Sequence, residues 1–95
     1  MTQTQQARGV KTSIRTDDSG RTYVNYRGTD FVSFDANTIT LRSGGWLTAT
    51  TKTRMNQASN QFDLGYSVFQ KNFEWFVRLE GRNLEFVDGM TIVRP

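Results

Sequence analysis

Gly44-Gly45-Trp46-Leu47-Thr48-Ala49-Thr50-Thr51-Lys52-Thr53-Arg54-Met55-Asn56-Gln57-Ala58-Ser59-Asn60-Gln61-Phe62 decides the fold, because it reads as the chain's single helix. On a helical projection Leu47, Thr48, Thr51, Met55, Ala58 and Phe62 share one stripe, which predicts a helix over about 47–62 packed by that stripe on a sheet. Thr50, Thr53, Asn56, Gln57 and Asn60 fall on the opposite side. Lys52 and Arg54 flank the stripe, where their stems cover apolar surface and their heads stay wet. Gly44-Gly45 predicts a tight strand-to-helix turn with Trp46 closing the core edge, and Leu64-Gly65 a glycine C-cap.

On either side the periodicity changes from helical to alternating. Tyr23–Tyr26 reads as a short strand, Arg27-Gly28 as a turn or bulge, and Thr29–Asp35 as a second strand rich in β-favouring residues. After a hairpin at Asp35-Ala36-Asn37, Thr38–Arg42 alternates strictly, so Ile39 and Leu41 point inward and Thr38, Thr40 and Arg42 outward. Beyond the helix the chain reads as a meander: Tyr66–Gln70, a turn at Lys71-Asn72, Phe73–Leu79, a turn at 80–83, Leu84–Val87 and Met90–Val93. Within it Phe73, Trp75, Val77 and Leu79 are expected in the core, with Phe76 on the outer face among charged residues. Residues 1–20 are rich in Gln, Thr and Ser and read as a flexible arm, with at most a short edge strand near Val10–Ile14. The expectation is an α+β fold: a single domain over 21–95, with an antiparallel sheet of about five or six strands and one helix on one face.

The 95 residues support one core, and with 13% aromatic residues and a mean hydropathy of −0.59 a few large rings must supply much of its burial. Cysteine and histidine are both absent. That removes disulfides, thiolate or imidazole metal sites and most nucleophile–base relays, so neither an enzyme nor a metal or other cofactor is expected. The remaining carboxylates are scattered, and none is spaced so as to converge with another. No run approaches the roughly 20 apolar residues of a membrane span, and the first residues lack the apolar core of a secretory signal, so a cytoplasmic protein is expected.

The net charge of +3 is unevenly spread: residues 1–54 hold eight Lys/Arg against four Asp/Glu, and residues 55–95 hold four against five. With Lys52 and Arg54 beside a helix face of amides and hydroxyls, this points to a nucleic-acid backbone as the partner. The expected contact set is Arg42, Lys52, Arg54, Asn56, Gln57 and Asn60. Arg15, Arg21 and Arg27 with Tyr23 and Tyr26 form a weaker basic-aromatic candidate, and Tyr23 and Tyr26 lie on opposite faces of a regular strand. The glycine pair before the helix exposes N–H groups to an anion but is not a Walker A loop. Phe69, Trp75 and Phe76 are candidates for an apolar patch, which marks a protein partner or a homodimer.

Gly44-Gly45-Trp46, Thr50-Thr51-Lys52, Arg54-Met55-Asn56-Gln57, Phe62, Gly65, Val68-Phe69-Gln70-Lys71 and Glu74-Trp75-Phe76-Val77 together resemble small uncharacterised proteins of tailed bacteriophages, over about residues 23–93. The resemblance implies a phage protein acting in the bacterial host cytoplasm, and brings no catalytic residue or ligand. Two readings follow: a small non-enzymatic nucleic-acid-binding protein, or a phage accessory protein that binds and modulates a host or phage protein.

Overall fold

The computed structural model describes residues 5–6, 12–26 and 28–95. Part of the expected arm, including Arg8, Val10 and Lys11, lies outside the described residues, as does Arg27, but Thr12–Thr16 is a paired strand of the sheet with Ile14 in the core, so the domain takes in residues that the sequence assigns to the arm. Strands β1 (Gln5–Gln6), β2 (Thr12–Thr16), β3 (Thr22–Tyr26), β4 (Thr29–Phe34) and β5 (Thr38–Leu41) precede helix α1 (Ala49–Phe62), and β6 (Tyr66–Lys71), β7 (Glu74–Leu79), β8 (Arg82–Glu85) and β9 (Met90–Val93) follow it. The α+β class and antiparallel pairing are as the sequence indicates. The strands divide into a six-stranded sheet, ordered β1-β2-β3-β4-β5-β9, and a three-stranded sheet, β6-β7-β8. The final strand thus leaves the meander and closes the first sheet on β5.

In the large sheet the register sets Ile14 beside Val24, Val32 and Leu41 in one cross-strand row, and Phe34 beside Ile39 and Ile92 in another. Both rows are buried. Pairing of β3 with β4 skips Phe31, a bulge that lets Phe31 and Val32 both reach the core in sequence. The opposite face is polar, and the row Arg15, Tyr23, Ser33, Thr40, Thr91 crosses five strands in register. Arg21 lies over this row and donates to Asp35, Thr38, Ser33 and Thr40, which is how Ser33 and Thr40 become buried.

The helix starts later than its apolar stripe suggests. Thr48 is the N-cap, its hydroxyl accepting from the Thr51 N–H at 3.2 Å, so Leu47 precedes the helix and is exposed instead of buried. From Thr51 the stripe holds: Thr51, Met55 and Ala58 are buried and Phe62 packs on Phe34 with ring centroids 4.9 Å apart. The C-cap is Asp63 in the left-handed conformation, ahead of the expected glycine Gly65.

In the small sheet Tyr66, Val68, Trp75 and Val77 are buried and Leu79 is half-buried. Phe73 departs from the expected core set. The hairpin turns at Asn72-Phe73, one residue later than Lys71-Asn72, so Phe73 sits in the turn itself and is 95% exposed. Phe76 is on the outer face as expected and stacks on Phe69 across the strand pair, centroids 5.5 Å apart, while Trp75 is withdrawn into the core.

Three carboxylates brace the large sheet, Asp17 and Asp35 in its turns and Asp30 across its strands. Hydrogen bonds from Ser19 and Tyr23 hold Asp17 down at about 2; the Arg15 guanidinium lowers Asp30, and the backbone N–H groups of Asn37 and Thr38 lower Asp35. Groups whose folded pKa lies below the ordinary 3.8 stabilise the fold above that value and cease to do so as pH falls through the folded pKa. Urea midpoints should therefore be level above about pH 5 and fall progressively between about pH 4 and 2. A midpoint unchanged at pH 2 would show that these bonds persist with protonated carboxyls.

Candidate interaction surface

The polar residues of α1 have distinct tasks. Asn56 is half-buried: its Nδ2 donates to the Val68 carbonyl at 3.0 Å and its Oδ1 accepts from the Val68 N–H at 2.7 Å. One turn on, buried Ser59 donates to the Tyr66 carbonyl at 2.6 Å and accepts from the Tyr66 N–H at 3.2 Å. Two side chains thus occupy the backbone groups of β6 that face away from β7, as a neighbouring strand would. The Tyr66 hydroxyl returns the contact by donating to the Met55 carbonyl at 2.7 Å, and its burial pushes its pKa up. Asn56, expected on an outward recognition face, instead fastens the helix to the small sheet.

Lys52 is also turned toward that sheet. Its Nζ donates to Gln70 Oε1 at 3.0 Å and stands 5.6 Å from the Trp75 ring centroid. Arg54 reaches the other way, over Tyr26 at 5.3 Å, with Nη1 donating to Gln57 Oε1 at 3.1 Å. Gln57 and Asn60 face solvent. Arg42 is exposed on another side of the molecule, at a shallow depression that it shares with Asp30, Asp88 and Tyr23. The six expected contact residues therefore do not form one surface. Arg15 is engaged too, bidentate on Asp30 at 2.8 and 2.9 Å and 4.5 Å over the Tyr23 ring. Such pairing over fifteen residues depends on strand register, which local spacing does not reveal.

What the sequence reading missed is the apolar end of the molecule. Ser43-Gly44-Gly45-Trp46 is a tight turn with positive φ at both glycines, closed by the Trp46 N–H to the Ser43 carbonyl at 3.0 Å. A Cβ on Gly44 would stand 2.7 Å from Thr29 Oγ1, so glycine is required sterically as well as conformationally. Trp46 leaves this turn 64% exposed, and does not close the core as expected. Beneath it is a cavity of about 280 Å³ lined by Tyr26, Phe31 and Trp46 together with Thr29, Thr48 and Thr50.

The tip of the β6–β7 hairpin lies at the same end. Lys52, in the first turn of α1, reaches Gln70, and Asn72-Phe73 follow directly. Both turn residues have positive φ, 53° and 66°, the two-residue geometry in which glycine is favoured at the second position. Phe73 holds it with a full side chain, at a strain of about 1–2 kcal/mol. Among the described residues, Trp46, Leu47 and Phe73 are three of the five exposed large apolar side chains. The only sequence trace of this was Phe73 beside Asn72, which reads equally as the start of a core strand.

Among the described residues no three His, Cys, Asp or Glu side chains gather as a metal site, and no helix is long and apolar enough to cross a membrane. The family model for the Kyanoviridae Gp96 protein matches residues 1–93. The chain belongs to that family. Kyanoviridae are cyanophages, so this is a small phage protein, as the resemblance implied. The family match also takes in residues 1–22, ahead of the stretch that carried the resemblance. No curated protein and no solved structure matches the chain.

Proposed function

We propose that this Kyanoviridae Gp96 family protein is a non-enzymatic accessory protein that works in the cytoplasm of the infected cell by docking on another protein. The observation that carries this reading is the apolar end: Trp46 stands exposed at an aromatic-walled cavity, and Leu47 and Phe73 are exposed beside the N-terminal end of the same helix. Exposed aromatic side chains beside a pocket are the usual anchors of protein interfaces. Among the described residues, three cations that would serve a phosphate backbone are turned to intramolecular work, Arg15 on Asp30, Arg21 on Asp35 and Lys52 on Gln70.

Immobilised protein should retain a defined host or phage protein from infected-cell lysate with or without nuclease, and Trp46→Ala should lose it at least tenfold. Retention that disappears with nuclease would favour the second reading, nucleic-acid binding through Arg54 and the solvent-facing Gln57 and Asn60. That reading draws on the net charge of +3, and predicts affinity that falls by nearly one log unit per log unit of salt for each duplex phosphate neutralised.

A further inference from the structure

We infer that the apolar end self-associates: Phe73 of one copy seats in the aromatic-walled cavity of a second copy, and the second copy's Phe73 seats in the first. This deepens the protein-docking reading and rests on it. Phe73 is 95% exposed at a turn with φ of 66°, so for an isolated monomer both its exposure and its backbone conformation are unfavourable. A contact that buries the ring gives the residue a role that the monomer lacks.

The cavity supplies the complementary shape. At about 280 Å³, with walls from Tyr26, Phe31 and Trp46, it is slightly smaller than the roughly 300–1,000 Å³ typical of small-molecule sites and has room for a phenyl ring. Knob and cavity lie at the same end, on the two flanks of the α1 N-terminus, so a two-fold axis can satisfy both at once and close the assembly at two copies. Charge favours the same pairing. The first turn of α1 contains no acidic residue, and the residue after the knob is exposed Glu74. Seated reciprocally, its carboxylate faces the positive end of the second copy's helix.

The area is sufficient for a reversible dimer. An aromatic side chain buries about 150–250 Å², so Trp46, Leu47 and Phe73 from both copies give a total of roughly 1,000 Å², the lower end for specific interfaces. The dimer should accordingly dissociate in the micromolar range.

Sedimentation equilibrium of the full chain from low to several hundred micromolar tests this. Wild type should pass from monomer to dimer and no further. Phe73→Gly should weaken dimerisation by at least about 30-fold, the effect of losing an interface anchor, while melting at the same temperature as the wild-type monomer or higher because the turn is relieved. Loss of the dimer is then not a folding defect. Because the chain has no cysteine, Thr50→Cys with Glu74→Cys should give a disulfide-linked dimer on oxidation, and Asn60→Cys with Glu74→Cys should not.

A wild type that stays monomeric, a dimer that Phe73→Gly leaves intact, or equal cross-linking in the control pair overturns the inference. If Trp46→Ala still abolishes nuclease-resistant capture of another protein in that event, the docking reading stands and only self-association fails. If capture is lost as well as self-association, both fail.

Discussion

Removing both side chains that stand in for a strand beside β6, by Asn56→Ala together with Ser59→Ala, should destabilise the protein by about 4 kcal/mol. Each substitution leaves an N–H and a C=O of β6 without partners, those of Val68 and of Tyr66 respectively. An orphaned buried group costs about 1–3 kcal/mol, and Ser59 is the more buried member, 3% exposed, so Ser59→Ala should exceed Asn56→Ala. The half-buried Asn56 site admits water, which restores part of the loss. Since both act on one strand, the double variant should fall short of the sum. A domain of this size has a total stability of about 5–14 kcal/mol, and 4 kcal/mol corresponds to a fall in Tm on the order of 20 °C. Uncovering the β6 edge should also promote association of partly unfolded chains. Thermal unfolding followed by circular dichroism measures the effect. A Tm change of only a few degrees would mean that solvent replaces the amide and hydroxyl fully.

This prediction also marks where the sequence is legible. Met55, Ala58 and Phe62 recur at helical spacing, so the helix and its buried side are readable without the structure. Ile39 and Leu41 alternate with polar residues, and both are fully buried. Asn56 reads as an outer-face residue because an amide on a helix is ordinarily solvent-facing. Its true neighbour is a strand edge formed by residues twelve positions later. The same non-locality hides the fate of the last strand: Met90–Val93 reads as a strand, but its pairing with β5 is set by how the two sheets meet.

Boundaries failed where one residue changes the outcome. Moving the hairpin turn from Lys71-Asn72 to Asn72-Phe73 converts Phe73 from a core residue to the most exposed aromatic identified, while Trp75 and Val77 stay inside. Starting the helix after Thr48 likewise turns Leu47 out. The apolar end was therefore invisible in the sequence for a physical reason: both residues sit at element ends, where alternation and helical period no longer fix direction. The paired cations were hidden for a different reason. Arg15 meets Asp30, and Arg21 meets Asp35, through strand register alone.

Asp88→Ala should have the next largest effect, about 3 kcal/mol, and should disturb function as well as stability. Asp88 belongs to the loop between β8 and β9, and Ser43 to the turn that leads into α1. The Asp88 carboxylate accepts from the Ser43 N–H at 2.9 Å and from the Ser43 hydroxyl, and the same hydroxyl oxygen accepts from the Gly45 N–H at 3.1 Å. Ser43 is 2% exposed, so its two donors have little access to water once the carboxylate is gone. Hydrogen bonds to a charged acceptor contribute about 1.5–3 kcal/mol each in such settings, and the two share one acceptor group, so the loss should be less than their sum. Gly89, next in sequence, donates to the Leu41 carbonyl at 2.8 Å and keeps the two loops in register, which limits the damage to the latch itself. Ser43→Ala removes the hydroxyl and its bonds but spares the Ser43 N–H bond to Asp88, and should cost roughly half as much. Because the latched turn aims Trp46, Asp88→Ala should also weaken partner capture at temperatures where the protein remains folded, whereas the Asn56 variant, whose contacts lie at the other flank of the helix, should affect capture only as far as it affects folding. Equal capture per folded molecule by Asp88→Ala and wild type would show that the turn holds its shape through Gly44, Gly45 and the Trp46 N–H alone.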